Sequence, residues 1–172
     1  MSKAATLVAK KSITKMPRRK YTLLYYIGIF LVLVLTACDE NTVYYRFEHL
    51  SLKGWEKNDT LNFQTEPVKQ TGEYLEEVGL RISSDYPFMG LQLVVEQEVL
   101  PTHEQHFDTL NCKLIDRQGN VMGQGISHYQ YRFPLTTLSL AEGERLHIIV
   151  RHDMKREILP GISDVGIRLS RK

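Results

Sequence analysis

Leu91-Gln92-Leu93-Val94-Val95-Glu96-Gln97-Glu98-Val99 places Leu91, Leu93, Val95 and Val99 on one face and Gln92, Glu96 and Glu98 on the other. Successive side chains of a strand point to opposite sides. A period of two over this length therefore predicts a long strand with one buried face. The same alternation recurs along the chain. Val43, Tyr45 and Phe47 alternate with Tyr44, Arg46 and Glu48, and Leu61 and Phe63 mark a short strand. Val78, Leu80 and Ile82 form a further set, followed by Leu110, Cys112 and Leu114. Tyr129, Tyr131 and Phe133 come next, then Leu146, Ile148 and Val150, and finally Val165, Ile167 and Leu169.

Turn-forming segments separate these runs: residues 69–72, Tyr86-Pro87, residues 116–120 and residues 141–144. Short strands at this spacing predict an all-β, antiparallel β-sandwich, jelly-roll or immunoglobulin-like, of about eight strands. Helix is expected only as one turn over residues 139–144 and a short segment over residues 153–159. Asp153 would cap the latter and Pro160-Gly161 would end it.

The domain is preceded by a leader. Arg18, Arg19 and Lys20 stand before a 15-residue apolar run from Tyr21 to Leu35, followed by Thr36, Ala37 and Cys38. A basic segment, an apolar segment and small residues make a secretory signal. An uncleaved anchor is the alternative, but a spanning helix needs about 20 apolar residues. Leu35-Thr36-Ala37-Cys38 resembles the lipobox of bacterial lipoproteins. That resemblance implies cleavage between Ala37 and Cys38 and acylation of Cys38. Residues 1–37 are then the signal peptide, 38–42 a lipidated tether and 43–172 the sandwich domain. A start at Met16 would give a basic segment of ordinary length.

Removal of the leader takes seven of the 22 basic residues and leaves 15 against 20 acidic ones. A mildly acidic domain has no electrostatic drive toward nucleic acid, whose affinity comes largely from phosphate neutralisation. Motifs for catalysis lack their context. His103 and His106 are three residues apart in an expected loop, whereas helical zinc peptidases need a spacing of four. His147 and His152 point to opposite faces of a strand. Gly119, Gly123 and Gly125 precede no helix, so they do not make a phosphate loop. Acidic pairs such as Glu76-Glu77 are common on strands. Cys112 lies on the apolar phase and reads as a small buried hydrophobe. No cofactor, metal or catalytic residue is expected. Trp55, Tyr44, Tyr74, Tyr86, Tyr129 and Tyr131 could stack sugars if they were exposed. This gives the alternative of a surface carbohydrate-binding lipoprotein, although large aromatics are commonly core.

A set of local motifs runs through the chain: Cys38, Tyr45-Arg46-Phe47, Trp55, residues 59–63 (DTLNF), residues 79–83 (GLRIS) and residues 85–88 (DYPF). It continues through residues 108–110 (DTL), 116–119 (DRQG), 123–125 (GQG), 153–156 (DMKR) and 159–167 (LPGISDVGI). Together they resemble the gliding-motility lipoprotein family GldH of Bacteroidetes. The resemblance implies a noncatalytic envelope lipoprotein, in the outer membrane on an undecided face, that works with gliding machinery tied to type IX secretion. The implied partners are membrane lipid through acylated Cys38 and envelope proteins of that machinery. The last motif also has a physical reading. Gly161 supplies a turn, and Gly166 lets a neighbouring side chain or partner approach its strand. Gly161, Asp164 and Gly166 are thus the candidate turn or partner-surface residues.

Overall fold

The computed structural model describes residues 41–172 and Tyr26; Ala37, Cys38 and the rest of the leader lie outside the described residues. Eleven strands are assigned among them: β1 Thr42–His49, β2 Trp55–Glu56, β3 Leu61–Gln64, β4 Gly72–Ser83, β5 Gly90–Leu100 and β6 Glu104–Lys113. The series continues with β7 Gln124–Gly125, β8 His128–Leu140, β9 Arg145–His152, β10 Ile158–Leu159 and β11 Ile162–Arg171. Three of these have only two residues, so eight are long. One sheet has the order β1-β11-β4-β8-β7 and the other β3-β9-β5-β6; β10 and β2 pair separately. Numbered along the chain, the eight long strands run 1-8-3-6 in one sheet and 2-7-4-5 in the other. This is the double Greek key of a jelly roll.

The sheets bury their facing sides in one core. Val78, Leu80, Val165, Ile167 and Leu169 come from one sheet, and Leu93, Val95, Leu146, Ile148 and Val150 from the other; all are fully buried. Each such side chain contributes about 1.5–3 kcal/mol by leaving water. Cys112 and Leu114 join them. Burial pushes the Cys112 thiol up to about 12, which makes it a poor nucleophile.

Neither expected helical segment forms. Ser139 and Leu140 finish β8, and residues 141–144 make a turn in which the Glu144 N–H donates to the Ala141 carbonyl at 3.1 Å. Residues 153–157 form no helix, bending at 155–157, and Ile158 and Leu159 pair with Glu56 and Trp55. A lone helix of one or two turns is unstable. Burying Trp55 and Leu159 together outweighs it. The His103–His106 segment is mostly strand, since β6 starts at Glu104 and only His103 is left in the turn. The first strand also departs from its apolar phase. Tyr44, Arg46 and Glu48 pair with the core-facing Leu169, Ile167 and Val165, so Tyr45 and Phe47 look outward. As an edge strand, β1 lets Arg46 reach solvent, where it pairs with Glu48 at 2.8 Å.

One polar group is held deep in the core. Glu76 and Glu77 are neighbours on β4 and go to opposite faces. Glu77 pairs outside with Arg168 at 2.6 Å. Glu76 is fully buried; its Oε2 accepts from Gln97 Nε2 at 3.2 Å, and the same amide donates to Asp108 Oδ2 at 3.1 Å. Glu76 Oε1 and Gln97 Oε1 have no partner. Desolvation, opposed by the Gln97 bond and aided by the Asp108 charge, raises the Glu76 carboxyl from 4.5 to about 7.

The folded chain therefore binds this proton more tightly than the unfolded chain. The stability linked to the neutral carboxyl is complete below 4.5 and is lost as pH rises through about 7. The change corresponds to roughly 3 kcal/mol. Glu76→Gln should recover about that much at pH 8 and flatten the fall between pH 5 and 8. Denaturant titrations of both chains across this range measure it; parallel profiles would contradict the assignment.

Candidate interaction surface

The outer side of the five-stranded sheet is built around a pair of glycines. Gly166 on β11 faces Gly79 on β4, and Phe47 on β1 faces Gly166. A Cβ on Gly166 would meet the Phe47 ring at 2.6 Å, and one on Gly79 would meet it at 2.9 Å. The two missing side chains leave a shallow seat, and the Phe47 ring lies in it. The Arg81 guanidinium stacks over that ring, 4.1 Å from its centroid. Tyr45 meets Phe47 edge-on at 5.3 Å, and Arg132 lies 5.9 Å from the Tyr45 ring centroid.

Asp164 extends this array. It sits beside Arg81 and His49 in register, and its side chain is almost fully buried. It pairs with His49 Nδ1 and with Arg81 at 3.8 Å, and accepts from the Ser163 hydroxyl at 2.8 Å. Ser163 lies where the β11–β4 register shifts, and the Arg81 carbonyl, 3.1 Å from its hydroxyl, competes with Asp164 for the same proton. Asp164 and Gly166 thus serve one assembly: the acid fixes Arg81 from one side and the glycine seats the ring beneath it. Gly161 lies apart. It has φ +80° in the turn before β11, and an added Cβ would be 2.6 Å from the Tyr86 backbone nitrogen. Only glycine suits both the conformation and the close approach. Sequence reading missed Phe47, Tyr45 and Arg81 as surface groups. The signal was available in Gly79 and Gly166, two glycines within strongly apolar strands.

The strand ends after β1, β4, β6 and β9 carry the loops 50–54, 84–89, 114–123 and 153–157 at one end of the sandwich, with residues 126–127 and the β2–β10 pair beside them. Leu52, Met89, Met122, Ile126 and Ile158 are exposed there. Asn41, where the chain enters the domain, lies at the other end, its carbonyl accepting from the Arg171 N–H at 2.8 Å.

Among the described residues the histidines form no cluster of metal ligands, although His103 and His147 both approach Glu98. His103 pairs with Glu98 at 2.6 Å and His106 with Glu104 at 3.3 Å. His147 approaches Glu98 at 3.8 Å. His152 is buried edge-on against Trp55 at 5.2 Å, and desolvation lowers its pKa. The proposed sugar platform is also dispersed. Trp55, Tyr74, Tyr86 and Tyr131 are buried, and Tyr44 and Tyr129 are partly buried and packed on the core.

The Phe47 seat can be tested by packing. Gly166→Ala should destabilise the domain by about 1–3 kcal/mol through overpacking. Adding Phe47→Ala should make the pair cost less than the two single changes together, because the clashing ring is gone. Denaturant unfolding of the four chains measures the coupling, and strict additivity would contradict the contact.

The family model described as GldH lipoprotein matches residues 42–169, which takes in every strand from β1 to nearly the end of β11. The chain is 29% identical over 154 residues to the gliding motility lipoprotein GldH of Flavobacterium johnsoniae, covering 84% of this chain and 96% of that protein. It is 25% identical over 158 residues to a GldH homolog of Christiangramia forsetii, covering 85% and 94% respectively. A match across the whole described domain shows that the chain belongs to the GldH lipoprotein family.

Proposed function

We propose that this protein is a lipid-anchored binding module of the bacterial gliding-motility apparatus, without catalytic activity of its own. The observation that carries the reading is the family match over residues 42–169, set directly behind the lipobox-like Leu35-Thr36-Ala37-Cys38. In this reading residues 1–37 are removed as the signal peptide, Cys38 takes the acyl chains, and the short stretch between Cys38 and β1 tethers the sandwich to the outer membrane. Several acyl chains give stable anchoring where one does not. The partners are envelope proteins of the motility machinery and of the type IX secretion system.

The outer sheet face suits such partners. Aromatic and arginine side chains are the residues that dominate protein interfaces. Arg81 stacked on Phe47 keeps the edge of its guanidinium available for a planar acceptor. Anchoring raises the local concentration, so a modest surface is sufficient. The carbohydrate-binding alternative loses its support with the burial of Trp55, Tyr74, Tyr86 and Tyr131.

Labelling producing cells with palmitate tests the anchor. The wild-type chain should take up label, and Cys38→Ser should lose it and retain its leader. An unlabelled wild-type chain would overturn the anchor. Pull-down from crosslinked envelopes should recover motility or secretion components. Recovering none, with spreading and secretion unaltered on deletion, would refute the functional reading.

A further inference from the structure

Among the described residues the sandwich has four sheet edges, and three of them are blunted. Unpaired backbone groups along an edge invite another strand, and proteins counter this with short strands, bulges, proline or inward-pointing charge. On β1 the register shifts between Thr42 and Tyr44, and Arg46 and Glu48 occupy the inward phase. The opposite edge of that sheet is two-residue β7, which covers only Tyr129 and Gln130 of β8. Farther along, β8 carries Pro134, and its pairing shifts register there. In the other sheet, β3 has four residues.

The remaining edge, β6, is different. It has ten residues and no proline, and it pairs with β5 without a shift from Glu104 opposite Val99 to Lys113 opposite Gly90. Phe107 stands at its middle on the outer face and is 66% exposed. No element of the described chain closes over it. The two sheets gape beside it around a cleft of about 630 Å³, bordered by Val99, Glu104 and His106 on one side and Thr136 and Leu138 on the other.

We propose that β6 is the seam of a homodimer, pairing antiparallel with β6 of a second copy about a two-fold axis through Phe107. The four-stranded sheets then join into one sheet of eight strands. The choice of partner rests on the self-complementarity of the strand. Opposed residues in an antiparallel pair share a face. Two inner faces can therefore align only when the axis passes through a residue. With the axis at Phe107, the two exposed rings face each other and Gln105 faces Thr109 of the second copy. On the inner face, His106 of each copy meets Asp108 of the other. Glu104 and Asp108 both stand on the inward phase of β6; within one chain His106 pairs with Glu104 at 3.3 Å, and in the dimer the same imidazole lies between that carboxylate and Asp108 of the second copy. An axis at Asp108 or His106 sets like groups face to face, and one at Thr109 leaves Phe107 opposite Asn111.

The test uses the full-length lipoprotein in the envelope of producing cells, with Phe107→Cys. Opposed residues of an antiparallel pair have Cα atoms about 4.5–5.5 Å apart, within the span of a disulfide. Mild oxidation should convert Phe107→Cys to a reducible dimer, at least fivefold more than Thr109→Cys or the wild-type chain. The wild type controls for Cys38 and the buried Cys112. Equal yields at Phe107→Cys and Thr109→Cys would overturn the register. Crosslinking only to a product of another mass would replace the second copy with a foreign strand and overturn the dimer. Because Phe107→Cys removes the aromatic pair, the detergent-extracted wild-type chain is also weighed by sedimentation. A dimer mass that Phe107→Asp reduces to monomer supports the proposal; a monomeric wild type refutes it.

Discussion

The register between β4 and β11 is the constraint on which the rest of this domain depends. Val165 opposite Leu80 and Ile167 opposite Val78 set the core face of the five-stranded sheet. On the other side of the same strands, Gly166 opposite Gly79 leaves the hollow that receives Phe47. A shift of one residue would send the valines and isoleucine into solvent and the glycines into the core. It would also part Arg168 from Glu77, which the present register holds at 2.6 Å. Core, surface array and ion pair are therefore three consequences of one alignment.

That alignment also explains why a carboxyl group is tolerated in the interior. Glu76 is on the inward phase of β4 by parity, between Tyr74 and Val78. Its neighbours each contribute about 1.5–3 kcal/mol by burial. One acid whose charged form costs a few kcal/mol does not overturn such a core, especially as it stays protonated up to about pH 7. Gln97, reaching from the opposite sheet, supplies its single hydrogen bond. The polar contact thus ties β4 to β5 across the sandwich, where the rest of the contact is apolar.

The eight long strands were legible because alternation is a local property, written into each stretch by the need for one wet and one dry face. What escaped was set by distant partners. The two-residue strands β2 and β10 exist because Trp55 and Leu159 are buried together, and nothing near residue 158 announces that pairing. The expected helix over residues 153–159 lost to it for the same reason. The apolar phase of β1 misled because Phe47 is drawn outward by glycines 32 and 119 residues further along, at Gly79 and Gly166. Glu76 was not legible as a core group, because the Gln97 amide that accommodates it comes from the opposite sheet. Of the candidate site, Gly166 was legible as a place of close approach, whereas the ring that fills it and the guanidinium above were not.

The geometry keeps the two contact regions independent. The Phe47–Arg81 array belongs to the outer face of one sheet, whereas β6 is the edge of the other. A dimer closed through β6 would leave both copies of the array open. It would also carry two tethers, since each chain enters its own sandwich at Asn41. With Cys38 acylated as proposed, doubling the chains would slow escape from the bilayer, and doubling the array would make a second contact with one partner assembly intramolecular. On that reading a module of this size would act by geometry and multiplicity, without any one contact having to be strong.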